Sequence, residues 1–179
     1  MRLLLRGLSG TVVEIGPGAG RTLGLYPPGT RWIGIEPNRF LHRHLRQASE
    51  RAGLESEILE EAAEATSLAD RSADAVVGMF VLCSVRDVRS VLCEIRRVLK
   101  PGGKYCFLEH VAAPEGTLLR RFQRAARPIW AALLDGCHPD RDTLRLIEEA
   151  GFAQVQAESF RLSYTLPGPH IAGQARQQP

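Results

Sequence analysis

The sequence is short of several features that mark whole classes of protein. Cysteine is scarce, with four residues in 179 (Cys83, Cys93, Cys106 and Cys137) and no C-x-x-C pair. That excludes a disulfide-stapled scaffold and reads as reduced thiols in a cytoplasmic protein. No apolar run approaches the roughly 20 residues that a membrane-spanning helix needs. The first eight residues carry two arginines but lack the apolar stretch of a signal peptide. Charge of one sign is not in excess: the net value of +3 is too small to argue for a nucleic-acid partner. Internal repeats and low-complexity tracts are missing as well. With 44% hydrophobic residues, the chain has too much apolar content for disorder. It is expected to form a single domain over residues 1–179, long enough to bury a sizeable core.

Short apolar runs alternate with helical patterns. Strands are expected at Thr11–Ile15, Arg31–Glu36, Glu55–Leu59, Asp74–Phe80, Lys104–His110, Phe152–Phe160 and His170–Gln174. Asn38 can cap a helix with Phe40, Leu41, His44, Leu45 and Ala48 on one face, ending at Gly53. Val88, Val91, Leu92, Ile95, Val98 and Leu99 share a second helical face, stopped by Pro101-Gly102-Gly103. A third helix over Leu118–Leu134 is expected to break near Pro128, and Asp140 to cap a fourth that stops at Gly151. This alternation implies an α/β fold with a mostly parallel seven-stranded sheet, helices on both faces and ligands beyond the strands' carboxyl ends.

The strongest local signal is Val12-Val13-Glu14-Ile15-Gly16-Pro17-Gly18-Ala19-Gly20. Glycines at alternate positions let backbone approach a ligand closely. The loop is expected to open into a helix N-terminus, whose free N–H groups meet a carboxylate or hydroxyl. Glu36, twenty residues after Gly16, can accept hydrogen bonds from both ribose hydroxyls. Two cofactors come into question. A dinucleotide usually wants G-x-G-x-x-G, whereas here the spacing is G-x-G-x-G with Glu14 in front. A carboxylate there suits an ammonium better than a pyrophosphate, which matches S-adenosylmethionine. A nicotinamide-dependent oxidoreductase is disfavoured by the spacing and by the lack of a second mononucleotide half.

These segments resemble the class I S-adenosylmethionine-dependent methyltransferases, which implies a Rossmann-like three-layer sandwich with an antiparallel last strand. Glu14 to Gly20 resembles the family's cofactor loop, and Gly34-Ile35-Glu36-Pro37-Asn38 its ribose-binding strand end. Ala63-Glu64-Ala65 and Asp70 to Val76 resemble the stretch that flanks adenine, and Arg97 to Gly103 the usual entry to strand five. By this resemblance Glu14, Gly16, Pro17, Gly18, Gly20, Glu36, Pro37, Ala62, Ala63, Glu64, Phe80 and Val81 are the candidate cofactor residues. Ala62 stands where family members usually carry an acidic residue for the adenine amine, so adenine contacts are expected from backbone near Ala62 and Ala63. Val81-Leu82-Cys83-Ser84-Val85, Glu109 to Ala113, Leu134-Asp135-Gly136-Cys137 and Pro169-His170-Ile171 are similar to a narrower group, small proteins that methylate alkyl thiols at the endoplasmic-reticulum membrane. The helix before strand one is expected to be shortened or missing, reduced to Arg2-Leu3-Leu4-Leu5-Arg6.

Methyl transfer from a sulfonium is an in-line displacement in which positioning does most of the work. The catalytic candidates are His110, as a base or an orienting group, Cys83, as pocket wall, and Asp135, as a pocket or capping residue. Cys137-His138 falls short of a zinc site because no second ligand pair accompanies it, and no metal is expected. His170 reads as structural, and His42 and His44 as remote from the site. In the third helix an apolar stripe (Leu118, Leu119, Phe122, Ala126, Ile129, Trp130, Leu133, Leu134) opposes Arg120, Arg121, Arg124 and Arg127. That is a helix packed on the sheet with a solvated basic side, the alternatives being a substrate lid or peripheral contact with an anionic membrane. The sequence has no Asp/Asn-Pro-Pro-Tyr/Phe motif for planar amines, no Pro-Cys nucleophile pair, no aspartate cluster for magnesium and no basic–aromatic repeat for RNA. The expected function is methyl transfer to a small nucleophile, a thiol by resemblance. A lipid or other metabolite as acceptor, or a non-catalytic cofactor-binding regulator, are the alternatives.

Overall fold

The computed structural model describes residues 2–133, 136–161 and 168–179. Its central strand, β4 (Ala73–Met79), has no charged residue after Asp74 because both of its faces are covered. Around it lie β1 (Thr11–Ile15), β2 (Arg31–Ile35), β3 (Glu55–Leu59), β5 (Leu99–His110), β6 (Gln154–Phe160) and β7 (His170–Arg176), in the order β3-β2-β1-β4-β5-β7-β6. Four neighbouring pairs run parallel, whereas β7 is antiparallel to both β5 and β6. The order reverses between β1 and β4. The carboxyl ends of those two strands therefore flank the crevice in which such sheets bind ligands.

Alternation along each strand splits the core into two layers. Val13, Ile15, Ile33, Ile35 and Val76 face α3 (Val88–Val98) and α5 (Thr143–Glu149), meeting Val91, Leu92, Ile95 and Ile147. Val12, Trp32, Ala75 and Val77 face the other way, toward Leu5 of α1 (Arg2–Leu5) and Leu45 of α2 (Arg39–Ala52). Truncating Leu92 or Ile95, both fully buried, to alanine costs about 2–5 kcal/mol.

Several boundaries differ from the sequence expectation. The first crossover contains no α-helix: a three-residue 3₁₀ turn, Leu23–Leu25, stands there. Only ten residues separate Gly20 from Arg31, and Pro27-Pro28-Gly29 must turn, which leaves too little chain for one. Helix α2 is capped by Asn38 and closed by left-handed Gly53 as expected, but it buries His42, Leu45 and Ser49, while Phe40 and His44 are exposed. His42 is held by the Glu36 carbonyl oxygen (2.7 Å), and Ser49 by Ser56 (2.8 Å). Helix α4 (Leu118–Leu133) continues through Pro128, and α5 starts after Asp142 rather than Asp140. The apolar stripe of α4 divides: Gln123, Ala126 and Trp130 turn inward, while Leu118, Phe122 and Ile129 face solvent.

Candidate active site

The glycine loop is shaped by what each position would strike. Gly16 has φ +57°, and a Cβ there would lie 2.7 Å from Val81 Cγ2. At Gly20 it would lie 2.3 Å from Leu23 Cδ1. Between them Gly18 also has positive φ, but nothing stands within 4 Å of its missing side chain. The flanking glycines serve protein packing, and the middle one leaves an open backbone face.

Glu36 reaches that loop from the end of β2. Its buried carboxylate accepts from the amides of Gly18 (3.0 Å) and Asn38 (2.9 Å), which leaves further lone pairs on both oxygens. Pro37 beside it is exposed. Glu14 departs from expectation. Its buried oxygens accept from Thr22 Oγ1 (2.6 Å), Tyr26 Oη (2.7 Å) and Trp32 Nε1 (3.0 Å). Burial pushes its pKa up while these donors pull it down. The knot ties the helix-free crossover to β1 and so holds the glycine loop in place.

After β3, Ala63 packs into the core, Ala62 is exposed and Glu64 half-buried. The Ala65 amide donates to the Ala62 carbonyl (3.3 Å), closing a turn. The rest of this loop is anchored by Glu94, which accepts from the Thr66 amide (2.8 Å) and hydroxyl (2.7 Å) and pairs with Arg97. Arg97, with Thr66, pulls the Glu94 pKa down to about 2.

The turn after β4 is held from both sides. Phe80 lies just beyond the strand in the left-handed region (φ +60°), a conformation a bulky residue keeps only when its surroundings impose it. Glu109, fully buried at the end of β5, accepts from the amides of Val81 (3.0 Å), Leu82 (3.0 Å) and Cys83 (3.3 Å). Burial pushes its pKa well up, and the three amides oppose that. Arg141 donates to the carbonyls of Leu82 and Val85, and the His138 amide to that of Cys83 (2.8 Å). The adjacent pair Cys137-His138 diverges, because His138 Nδ1 accepts from Arg127 instead (3.1 Å).

What the structure brings together is Cys83, His110 and Cys137, whose ligand atoms all lie within 4.8 Å of one another. Cys137 Sγ is 3.8 Å from His110 Nδ1. Trp130 and Ala126 of α4 pack over the two cysteines, together with Phe80. The His110 ring lies tilted against those of Phe80 (4.9 Å between centroids) and His170 (4.5 Å), which places His170 at the site as well. A hydrogen bond to Cys137 and burial raise the Cys83 pKa, and the same bond lowers that of Cys137. His110 Nε2 and Trp130 Nε1 are buried without a hydrogen-bond partner among the described residues. Asp135 lies outside the described residues. Arg141 escaped the sequence reading, since nothing near it repeats. A clue to the buried role of Glu109 was available: it is the one acid in the apolar run Tyr105–Leu108 and beyond.

A glycine loop and a buried carboxylate at the reversal of a 3-2-1-4-5-7-6 sheet define a class, and the sequence comparisons agree with it. The chain belongs to the family described as "Methyltransferase domain", whose model matches residues 13–107, and it is a class I S-adenosylmethionine-dependent methyltransferase. Within that class it is similar to the rat protein named thiol S-methyltransferase TMT1B, at 41% identity over 170 residues, which cover 92% of this chain and 70% of the relative. It is 37% identical to human thiol S-methyltransferase TMT1A, with the same coverage. Among solved structures, YcgJ of Bacillus subtilis superposes with a TM-score of 0.78 at 18% identity, covering 98% of this chain and 94% of that one. The cyclase SpnF reaches the same TM-score at 18% identity, covering 98% and 78%. At such identities the match shows the fold alone. The residues present fit S-adenosylmethionine: Gly18 leaves open space beside its backbone, and the Glu36 carboxylate has acceptor capacity aimed at the same place.

Proposed function

We propose that this chain methylates the sulfur of a small, apolar thiol. The observation that carries the acceptor class is the wall beyond β4 and β5. There Phe80, Cys83, Trp130 and Cys137 pack ring against sulfur, and the nearby carboxylate of Glu109 is turned inward onto backbone amides. Such a wall offers little to an amine or phosphate and suits a soft, apolar nucleophile. The thiol S-methyltransferases with 37–41% identity support the same reading.

When bound, S-adenosylmethionine supplies an electrophilic methyl group on a sulfonium. In this chain the Gly16–Gly20 backbone would receive its amino-acid end, Glu36 its ribose hydroxyls, and the backbone at Ala62 and Ala63 its adenine. Phe80 and Val81, fixed by the turn that Glu109 and Arg141 hold, would align the acceptor with the crevice. Alignment of this kind is worth on the order of 7–11 kcal/mol. An alkyl thiol, with a pKa of about 8.5, must also lose its proton. The described residues bring Cys83, His110 and Cys137 together at that wall, with His170 against His110 and Glu109 on the amides of the turn.

We also place the protein in the cytoplasm with α4 resting on a membrane. Its exposed Leu118, Phe122 and Ile129 lie beside exposed Arg121 and Arg124, the chemistry of a helix on anionic lipid. Sedimentation with phosphatidylserine vesicles should carry the protein down, and Ile129→Glu should release it. Equal sedimentation with neutral vesicles would remove this placement.

The test of the acceptor is calorimetric titration with S-adenosylhomocysteine, followed by a methyl-transfer assay on alkyl thiols, amines, phenols and lipids. Saturable binding with turnover on thiols is expected. Binding with turnover only on another class would overturn the thiol reading.

A further inference from the structure

The cluster of Cys83, His110 and Cys137 is more than a pocket wall. We propose that it is a mononuclear zinc site, with a fourth position open to the acceptor thiol. This deepens the thiol-methyltransferase reading above and rests on it.

The donor set comes from three separate elements: the turn after β4, the end of β5, and the segment beyond α4. A tetrahedral zinc with bonds of about 2.3 Å to sulfur and 2.0–2.1 Å to nitrogen places its ligand atoms roughly 3.6–3.8 Å apart. Cys137 Sγ and His110 Nδ1 are already at 3.8 Å, and the remaining pairs fall within 4.8 Å, so side-chain rotation of an ångström or less closes the site. Two thiolates and an imidazole select zinc over magnesium or calcium, which take oxygen ligands.

The scaffold is rigid where a metal site needs it. Cys83 is fixed by its amide on Glu109 and its carbonyl on the His138 amide. Gly136, at φ +76°, returns the chain past the Ser84 carbonyl and sets down Cys137. Both cysteines are buried, while His110 is half-exposed. Among the described residues no fourth histidine, cysteine or acid joins the group. Three protein ligands with one position unfilled is the pattern of catalytic rather than structural zinc.

The chemistry balances. An acceptor R–SH takes the fourth position as R–S⁻ and its proton leaves to solvent, because a coordinating thiol is deprotonated outright. A lone pair of that sulfur forms the new S–CH₃ bond, and the electron pair of the broken sulfonium S–C bond returns to the donor sulfur. The neutral thioether product is a weaker ligand than the thiolate and departs.

The experiment uses the full chain, purified under reducing conditions, stripped with a chelator and titrated with Zn²⁺ and Co²⁺. One equivalent of metal is expected to bind, with sulfur-to-cobalt charge-transfer absorption. His110→Ala and Cys137→Ser should each lower the zinc affinity at least a hundredfold, while exposed Cys93→Ser keeps it. Chelation should lower thiol methylation at least tenfold, reversibly, and change S-adenosylhomocysteine affinity less than twofold, which also reports that the stripped protein stays folded. Thiol turnover with no stoichiometric metal would overturn the zinc site and leave the thiol reading standing. So would a Cys83–Cys137 disulfide found by mass spectrometry in place of metal uptake after reduction. Metal bound at one equivalent with turnover unmoved by its removal would overturn the activating role. A metal-loaded chain that binds S-adenosylhomocysteine yet methylates no thiol would instead defeat the acceptor reading.

Discussion

The two halves of the crevice each depend on a buried carboxylate, and the two are used differently. On the cofactor side Glu14 accepts from three side chains, Thr22, Tyr26 and Trp32, and so braces a crossover that lacks an α-helix. On the acceptor side Glu109 accepts from three successive backbone amides and so fixes a turn atom by atom. A side-chain knot tolerates small shifts, because hydroxyls and indoles can swing. A carboxylate on consecutive amides does not. The cofactor half can thus be built from a short contiguous motif, whereas the acceptor half needs partners from several elements.

The comparison can be broken most severely at Glu109. Glu109→Ala leaves three amides buried without acceptors, each costing about 1–3 kcal/mol. Urea denaturation should show the largest loss of any variant named here, several kcal/mol, with thiol turnover abolished. A loss below about 1 kcal/mol would show that the turn holds itself.

Glu36→Ala sharpens the distinction between binding and bracing. Two charge-assisted hydrogen bonds to ribose hydroxyls are worth about 1.5–3 kcal/mol each, so S-adenosylhomocysteine affinity should fall about a hundredfold or more. Stability should fall less than in Glu109→Ala, because the two amides released, of Gly18 and Asn38, are only part-buried and can turn to water. Unchanged affinity by calorimetry would remove Glu36 from the ribose site. Glu14→Gln should do the reverse, lowering stability by about 1–3 kcal/mol with less than a fivefold change in affinity. A larger affinity loss in a stably folded variant would return Glu14 to direct cofactor contact.

The smallest expected effect is on pH dependence. Glu94 has its folded pKa lowered from 4.5 to about 2, chiefly by Arg97. Its contribution is therefore present above about pH 4.5 and is lost as pH falls toward 2. The pair is open enough to solvent that the effect should be about 1 kcal/mol or less. Glu94→Gln should flatten stability between pH 5 and 2 by that amount, and an unchanged slope would mean that Arg97 contributes nothing net.

What could be read from the sequence follows the same division. The glycine loop and Glu36 lie in short segments whose spacing is itself the signal, and the strands declare themselves by apolar runs. The bracing role of Glu14 was not legible from the loop motif, although strand alternation puts it on the face of Val12, which α2 and its neighbours cover. The inward face of α2 was misplaced because His42 and Ser49 are polar residues buried by specific partners, Glu36 and Ser56. Cys83, His110 and Cys137 carry no mutual spacing rule. Only the folding of β4, β5 and the α4 connection brings them together, while the adjacent pair Cys137-His138 diverges.

The antiparallel last strand also imposes a timetable. Strand β6 pairs with β7 alone, so until residues 170–176 have been synthesised β6 has no neighbour to join. The four strands of the cofactor half pair among themselves using residues up to 79, and can close while the remainder is still being made. His170, the first residue of β7, brings the ring that packs against His110. During translation the cofactor crevice can therefore take shape first, and the acceptor wall is completed only when the seventh strand slides between the fifth and the sixth.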